Sequence, residues 1–228
     1  MTVWSRYAVY YAPPEGDPLA DFGSSWLGWD AASGAARAHP VIDDLPAPVE
    51  EITATPRKYG FHGTLKPPFR LNGDPAALMD AVEALAAARP AFDAPLLRLA
   101  RIGGFLALIP SAPSEDLAAL ASACVSDLDL FRAPPTEAEL AKRRAAGLTP
   151  AQEDMLARWG YPYVGPEFRF HLTLSGALPS DIAARVEAAL APLVAPLVDR
   201  PMAVREVCLF GEDASDGRFR VIRRFPLA

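Results

Sequence analysis

Cysteines and long apolar runs are scarce in this sequence. The only cysteines, Cys124 and Cys208, lie in unrelated contexts without Cys-x-x-Cys spacing, which argues against a disulfide framework or a cysteine zinc site. No run of about 18 apolar residues occurs, and residues 1–11 lack the apolar core of a signal peptide. These absences predict a soluble cytoplasmic protein with no membrane partner, whose free cysteines act as small hydrophobic residues.

Positive charge is also in short supply, since 22 basic residues face 28 acidic ones and the formal net charge is -6. A general nucleic-acid coat protein needs a basic surface, so that class of protein is not expected. A small phosphorylated substrate held by a few local cations is compatible with this charge balance. The composition, 51% hydrophobic and 22% charged, is typical of a globular domain.

The order of helical and strand patterns predicts an α+β fold with mainly antiparallel strands. The predicted elements are a strand at 5–12, a helix from Asp17 to Trp29, a strand at 60–69, a helix at 75–88, a hairpin at 96–109, a helix at 114–129, a strand at 168–175, a helix at 181–193 and a hairpin at 202–225. Two charged helical patterns, at 136–145 and 150–158, interrupt this order. Because no Pro/Gly/Ser-rich linker divides the chain, we expect a single bilobal domain over residues 1–228 with a helical insertion at about 132–163.

Two of the three histidines lie in nearly identical short segments. The first is Phe-His-Gly-Thr-Leu at 61–65, and the second is Phe-His-Leu-Thr-Leu at 170–174. Alternate residues of a strand face the same side, so each segment should bury phenylalanine and leucine and present histidine and threonine on the other side. If both strands face one cleft, their polar sides surround a volume that suits a phosphate.

These polar sides supply the main candidate site residues. His62 and His171 are the candidate catalytic acid and base, because imidazole titrates near neutrality and can accept a proton in one form and donate it in the other. Thr64 and Thr173 are expected to hydrogen-bond the non-bridging phosphate oxygens. The sequence lacks a His-rich or His/carboxylate motif of the metallohydrolase kind, so we expect neither a metal nor another cofactor.

Three further residues are weaker substrate-binding candidates. Lys66 and Arg169 fall on the same alternation as the histidines, where they could offset charge on the phosphate, although a solvated strand face is the alternative. Tyr10 shares a face of the first strand with Arg6 and could line the cleft, although a core or rim tyrosine is the more ordinary interpretation.

The two histidine segments resemble the signature tetrads of the two-histidine (2H) phosphoesterase superfamily. Further stretches are similar to its phosphonate-operon branch, namely Arg-Tyr-Ala-Val-Tyr-Tyr-Ala-Pro at 6–13, Lys-Tyr-Gly-Phe-His-Gly-Thr-Leu-Lys-Pro-Pro-Phe at 58–69 and Trp-Gly-Tyr-Pro-Tyr at 159–163. The resemblance covers essentially the whole chain. It implies two mainly antiparallel sheets with outer helices, related by a pseudo-twofold axis, and a catalytic cleft between the lobes.

The resemblance also implies an activity, the hydrolysis of cyclic phosphodiesters of the 2′,3′- or 1″,2″-type. His62 and His171 would then take the acid/base roles, and Thr64 and Thr173 the phosphate contacts. The insertion at 132–163 is either a lid that covers the substrate or a solvated amphipathic helical pair with Trp159 packed beneath it, and its charge pattern favours the second interpretation.

We therefore expect a monomeric, metal-independent enzyme that opens a 2′,3′-cyclic nucleotide or a ribose cyclic phosphate, in the setting of phosphonate metabolism. One alternative is an RNA-end 2′,3′-cyclic phosphodiesterase or ligase-type activity, favoured by a basic strip within 57–70 and opposed by the acidic net charge. The other alternative is a module that binds a phosphorylated metabolite without turnover. The physiological substrate and the assignment of base and acid to the two histidines stay open.

Overall fold

The computed structural model describes residues 2–228, and its central feature is an antiparallel sheet of eight strands. The strands are β1 Trp4–Tyr11, β2 Trp29–Asp30, β3 Ala35–Ala36, β4 Gly63–Phe69, β5 Phe92–Ile102, β6 Phe105–Pro110, β7 Leu172–Thr173, β8 Pro201–Val204, β9 Glu206–Asp213 and β10 Phe219–Pro226. The order across the sheet is β10-β9-β1-β4-β7-β6-β5-β8, and β2 and β3 form a separate ribbon. The predicted α+β class with antiparallel strands is confirmed.

The eight helices described are α1 Pro18–Leu27, α2 Val49–Ile52, α3 Ala54–Arg57, α4 Pro75–Ala87, α5 Glu115–Asp127, α6 Glu137–Arg144, α7 Pro150–Trp159 and α8 Ser180–Val194. Six of the eight lie where the sequence predicts them, whereas the short helices α2 and α3 fall in a stretch where no helix was predicted. The side chains of Asp17 and Asp74 accept hydrogen bonds from the first turns of α1 and α4, which satisfies backbone donors that a helix leaves open. Within residues 2–228, every helix is too short or too polar to cross a membrane.

A large apolar core lies between one face of the sheet and the helices. Helices α4, α5 and α8 bury residues at helical spacing against it, for example Leu78, Val82 and Leu85 of α4. A smaller apolar cluster lies on the opposite face of β1, β9 and β10 and includes Tyr10 and Phe210. Part of the candidate site packs against this second cluster.

The sheet is strongly curled. Strands β8 and β9 are separated in the chain by Arg205 alone, yet β8 pairs with β5 while β9 pairs with β1 and β10. One residue spans at most about 3.6 Å, so the two ends of the sheet must approach each other. The first strand of the hairpin predicted at 202–225 is therefore not continuous, because it is divided at Arg205 into β8 and β9.

The two histidine-bearing strands meet in the middle of the sheet. Gly63 of β4 pairs with Leu172 of β7, which joins the half β10-β9-β1-β4 to the half β7-β6-β5-β8. The two predicted sheets are therefore halves of one sheet. Strand β7 is shorter than the predicted 168–175, because a 3₁₀ turn at Gly165–Glu167 precedes it and the N–H groups of residues 174 and 175 both donate to the carbonyl of Leu106.

Each tetrad phenylalanine packs on a glycine. A Cβ on Gly63 would lie 2.4 Å from the ring of Phe170, and a Cβ on Gly23 would lie 2.1 Å from the ring of Phe61. Because neither glycine carries a side chain, the phenylalanine rings lie directly against the neighbouring backbone. This explains why the first tetrad has glycine where the second has leucine.

We predict that Gly63→Ala lowers the free energy of unfolding by about 1–3 kcal/mol, because the new methyl group overpacks the site of the Phe170 ring. Chemical denaturation measures the change. Gly104→Ala is the matched control, since a Cβ there meets Ala177 at 3.6 Å, an ordinary contact, and its effect should stay within about 0.5 kcal/mol. Equal stability of the two variants would contradict the packing argument.

Candidate active site

The pairing of β4 with β7 makes the two tetrads direct neighbours. Since Gly63 and Leu172 are antiparallel partners, the register sets His62 across from Thr173 and Thr64 across from His171. Cβ atoms of such cross-strand pairs are about 5 Å apart. All four polar candidates therefore lie together on the face of the sheet away from the main core.

Both imidazoles are oriented in the same way. Nδ1 of His62 is 2.9 Å from the carbonyl oxygen of Gly60, and Nδ1 of His171 is 2.8 Å from that of Arg169. A carbonyl oxygen can only accept, so Nδ1 carries the hydrogen in each ring. Nε2 of each neutral ring is thus left with a lone pair, and Nε2 of His62 is 3.3 Å from Oγ1 of Thr64.

The backbone that orients His62 requires a glycine. Gly60 has φ +72°, in the left-handed region, and a Cβ there would lie 2.6 Å from Cβ of Ala31. A residue with a side chain would be strained at this position, because it disfavours this conformation and its Cβ would lie too close to Ala31. The carbonyl that holds the His62 ring is therefore fixed by local sequence.

Tyr10 supports the His62 ring from below. The two rings stack with centroids 3.8 Å apart and an interplanar angle of 24°. Tyr10 is only 1% exposed and belongs to the smaller apolar cluster with Phe210. It lines the cavity beside His62, but it lies under the imidazole and therefore holds the His62 ring in position.

The histidines line two adjoining cavities. His62 and Thr173 line a cavity of about 310 Å³, and His171 lines one of about 480 Å³. Thr64 lines both, so its hydroxyl lies at the boundary between the two imidazoles. Tyr161 also lines both and closes the cleft from the side of the insertion.

Burial favours the neutral form of both rings in the free protein. It lowers the pKa of His62 to about 4, against a small raising effect of the Gly60 carbonyl, and a charge on His171 lowers it further. Burial also lowers the pKa of His171 below its usual value, although the Arg169 carbonyl opposes this shift. An anion bound between the rings would favour their protonated forms and reverse these shifts.

Lys66 does not face the cleft, which corrects the expectation from strand alternation. Its side chain is 2% exposed, and Nζ donates to the carbonyl of Val125 on α5 at 3.0 Å and lies 3.8 Å from Asp129. Burial lowers the pKa of Lys66 to about 8, and Asp129 partly offsets the effect. Lys66 therefore anchors α5 to the sheet.

An irregularity in the β1–β4 ladder causes this reversal. Tyr10 pairs with Thr64 and Val9 pairs with Lys66, so two steps along β4 match one step along β1. Leu65 is the extra residue of this β-bulge. The side chain of Lys66 consequently joins Val9 on the core face, whereas Thr64 stays with Tyr10 on the cleft face.

Arg169 is an exposed residue that lines the cavity of His171 and not that of His62. Its backbone carbonyl, rather than its guanidinium group, contacts the His171 ring. The structure thus leaves Arg169 at the edge of the cleft, where a contact with substrate stays a prediction.

Two arginines that were not among the predicted site residues line the cavity of His62. Arg6 donates to both carboxylate oxygens of Glu212, at 2.6 and 2.7 Å, and the guanidinium of Arg143 lies 4.6 Å from the ring centroid of Tyr161. No aspartate or glutamate in the described part of the chain lines this cavity. The sequence signals for Arg6 were the strand face that it shares with Tyr10 and its place at the start of the 6–13 stretch that resembles the phosphonate-operon branch.

The insertion combines features of both interpretations. Helix α6 buries no residue and α7 buries only Leu156, while Trp159 is half-buried, so the pair is solvated as expected but does not rest on Trp159. At the same time Arg143 and Tyr161 reach the cleft. Whether this segment moves as a lid stays a prediction.

The arrangement lacks the features of a metal centre. Across residues 2–228, no group of three or more His, Cys, Asp or Glu side chains is placed to hold a metal ion. The groups that line the two cavities include the two imidazoles, the hydroxyls of Thr64 and Thr173, and three arginines, Arg6, Arg143 and Arg169. These groups bind anions, and the imidazoles can also move protons.

Fold and site together define an α+β protein with a paired-histidine cleft on a curled antiparallel sheet. The chain belongs to the family described as "Protein of unknown function (DUF1045)", whose profile matches residues 64–220.

Two curated relatives are similar over nearly all of the chain. Both are named ribose 1,5-bisphosphate phosphokinase PhnN. The one from Janthinobacterium sp. (strain Marseille) is 38% identical over 231 residues, covering 98% of this chain and 51% of the relative. The one from Laribacter hongkongensis (strain HLHK9) is 34% identical over 220 residues, covering 96% and 51%. The chain thus spans about half the length of the curated relatives it matches.

Solved structures with partial similarity include one described as a phosphoesterase, with a TM-score of 0.47, 17% identity and 99% coverage of both chains. Another is Escherichia coli LigT in complex with NADP+, with a TM-score of 0.46, 17% identity and coverage of 99% of this chain and 98% of that one. The phosphate complex of the same protein has a TM-score of 0.44 and 16% identity.

We predict that both imidazoles carry their hydrogen on Nδ1 and titrate below the usual value, with His62 near pH 4 because of its burial. Two-dimensional ¹H–¹⁵N spectra of the imidazole nitrogens, recorded as a function of pH, measure tautomer and pKa separately. His39, whose Nδ1 bonds to the carbonyl of Trp26 outside the cleft, serves as the internal comparison. A His62 ring that titrates near pH 6.5 or carries its hydrogen on Nε2 would contradict the geometry.

Proposed function

We propose that this protein hydrolyses a small cyclic phosphodiester by acid/base catalysis between His62 and His171, without a metal ion. The observation that carries the proposal is the cross-strand pairing of the two tetrads, with each histidine opposite a threonine. A single phosphate between the strands can contact both imidazoles and both hydroxyls. Paired acid and base groups on opposite sides of one phosphorus atom are what in-line displacement requires.

The proton transfers follow from the orientation of the rings. One neutral imidazole accepts, at Nε2, the proton of the water that attacks phosphorus. The other imidazole is protonated in the complex. It donates its Nε2 proton to the leaving oxygen of the cyclic phosphate as the P–O bond breaks. Each such role contributes about 10²–10⁴-fold in rate, and the carbonyls of Gly60 and Arg169 hold the rings in place for it.

The remaining groups of the cleft offset the charge that develops on phosphate. The hydroxyls of Thr64 and Thr173 can donate to the non-bridging oxygens once an anion is bound. Arg6 and Arg143 supply positive charge to the same cavity. Donors arranged before the reaction stabilise the transition state more than solvent water does.

A ribose cyclic phosphate fits this chemistry and the names of the relatives. Both relatives are named for action on ribose 1,5-bisphosphate. Hydrolysis of the 1,2-cyclic phosphate of ribose 5-phosphate, with cleavage of the P–O2 bond and a proton delivered to O2, yields ribose 1,5-bisphosphate. We therefore favour a ribosyl cyclic phosphate as the natural substrate class and a role in phosphonate metabolism.

Purified protein in excess EDTA should hydrolyse 2′,3′-cyclic nucleotides or the ribose cyclic phosphate, followed by ³¹P NMR. His62→Ala and His171→Ala should each lower kcat/KM by about 10²–10⁴-fold, and the double variant should lose little more because the two rings act as a unit. His39→Ala removes an imidazole outside the cleft and should leave kcat/KM unchanged.

Other outcomes would select one of the alternatives. Activity that vanishes with chelator and returns with one metal would refute the metal-free mechanism. Hydrolysis of a cyclic-phosphate-ended oligonucleotide far better than a mononucleotide would indicate an RNA-end activity. Tight binding without turnover over a broad panel of cyclic phosphates would indicate a binding module.

The maximum of kcat/KM should lie on the acid side of neutrality. Turnover requires one proton shared by the histidine pair, so it falls at low pH when both rings are protonated and at high pH when neither is. Since burial lowers both pKa values below 6.5, the maximum of kcat/KM should lie below pH 6.5. The maximum of kcat should lie at higher pH, because the bound anion raises the pKa values. Initial rates at subsaturating and saturating substrate separate the two profiles, and a kcat/KM maximum above pH 7 would contradict the prediction.

A further inference from the structure

A second cavity, of about 270 Å³, adjoins the cavity of His62 and is lined by six basic side chains. It lies between the start of β1, the end of β4 and the inserted helix α6. We call it the basic pocket, and its cations are Arg6, Lys58, Arg70, Arg132, Lys142 and Arg143. Glu139 is the one acidic residue that lines it among residues 2–228.

The carboxylates near the basic pocket are too few to neutralise it. Glu212 is shared by Arg6 and Lys58, at 2.6 and 3.0 Å, and Glu139 pairs with Arg70 at 3.3 Å. Arg132 pairs with Asp129 at 2.7 Å.

The two remaining cations, Lys142 and Arg143, have no carboxylate within 4.0 Å in the described chain. Six cations against three carboxylates leave an excess of three positive charges (6 − 3), in a protein whose net charge is -6. Like charges held together in a recess repel each other, so an anion bound there would be strongly favoured.

The pocket is also held in shape before any ligand arrives. Backbone bonds from Asn72 to Phe131 and from Ala133 to Arg70 tie the start of the insertion to the chain that follows β4. The guanidinium of Arg70 donates to the carbonyl of Pro134 at 2.6 Å. A cation fixed in this way, as Arg70 is, loses little side-chain entropy on binding an anion.

The basic pocket and the catalytic cavity share a wall. Arg6 and Arg143 line both cavities, as do Tyr59 and Pro68. A ligand whose reacting phosphate lies at His62 and Thr64 can therefore reach the basic pocket with a second charged group. The inserted helix supplies Lys142 and Arg143, so the insertion completes this pocket.

We propose that the basic pocket binds a second, terminal phosphate monoester of the substrate, on the far side of the sugar from the cyclic phosphate. This inference rests on the proposed function, because the reacting phosphate defines which end is the second one. A monoester dianion suits several arginine and lysine donors better than a singly charged diester does. Discrimination between phosphorylated and unphosphorylated substrates then depends on residues of the insertion.

The kinetic test compares adenosine 2′,3′-cyclic phosphate with and without a 5′-phosphate, at low ionic strength and constant pH. The 5′-phosphate should raise kcat/KM by about 10–100-fold. Lys142→Gln, and more so Lys142→Gln with Arg143→Gln, should reduce this ratio by about tenfold or more. Arg144→Gln is the matched control, since Arg144 is exposed on the same helix, pairs with Glu153 and does not line the pocket.

Several outcomes would overturn the proposal. Equal kcat/KM for the two substrates would do so, as would equal losses in Lys142→Gln and Arg144→Gln. A cyclic-phosphate-ended dinucleotide that reacts as well as the 5′-phosphorylated mononucleotide would assign the pocket to a backbone diester instead of a terminal monoester.

A binding measurement separates this inference from the proposed function. Titration calorimetry with ribose 5-phosphate needs no turnover. A Kd raised about tenfold by Lys142→Gln and unchanged by Arg144→Gln supports the basic pocket even if no cyclic phosphate is hydrolysed, in which case only the proposed function fails. No binding, or the same Kd in all variants, overturns the basic pocket whatever the hydrolysis assays show.

Discussion

The antiparallel contact between Gly63 and Leu172 is the constraint on which the site depends. Neighbouring strands lie about 4.8 Å apart, so this one ladder contact is enough to bring both imidazoles and both threonine hydroxyls to one place. The absence of a side chain at Gly63 lets the ring of Phe170 pack against it, which holds the strands together behind the cleft. The closeness of the two imidazoles is therefore a consequence of sheet pairing, while the carbonyls of Gly60 and Arg169, just before the strands, orient the rings.

Strand alternation was sufficient to predict the polar faces of both tetrads and to group His62 with Thr64. It failed two residues later at Lys66, because a bulge becomes visible only when the partner strand is known. Pro67 and Pro68 follow directly and lack the N–H groups of a regular ladder, and the pairing of β4 with β1 shifts again between Lys66 and Phe69. The side of the sheet on which Lys66 lies thus depends on how β4 pairs with β1, and the alternation of residues along β4 does not reveal this pairing.

The net charge of the sequence likewise gave no indication of the positive charge beside the cleft. The cations of the basic pocket come from residue 6, from 58–70 and from 132–143, three stretches that only the fold brings together. Summed over the chain, the acidic excess suggests weak attraction for anions, yet the field at a concave site depends on the charges that line it. The insertion shows the same limit, since its helices could be predicted from their charge pattern, whereas the sequence left open whether its cations, Arg143 among them, reach the cleft or face solvent.

Burial of the histidines and binding of an anion are opposing influences on the same equilibrium. Removing the rings from water favours their neutral forms, as the lowered pKa of His62 shows, whereas a phosphate between them favours protonation. By linkage, an anion that raises the pKa of an imidazole must itself bind more tightly when that imidazole is protonated. In the proposed mechanism, the acid form that donates to a leaving oxygen is thus formed mainly in the complex with an anion, while burial favours the neutral imidazoles in the free cleft.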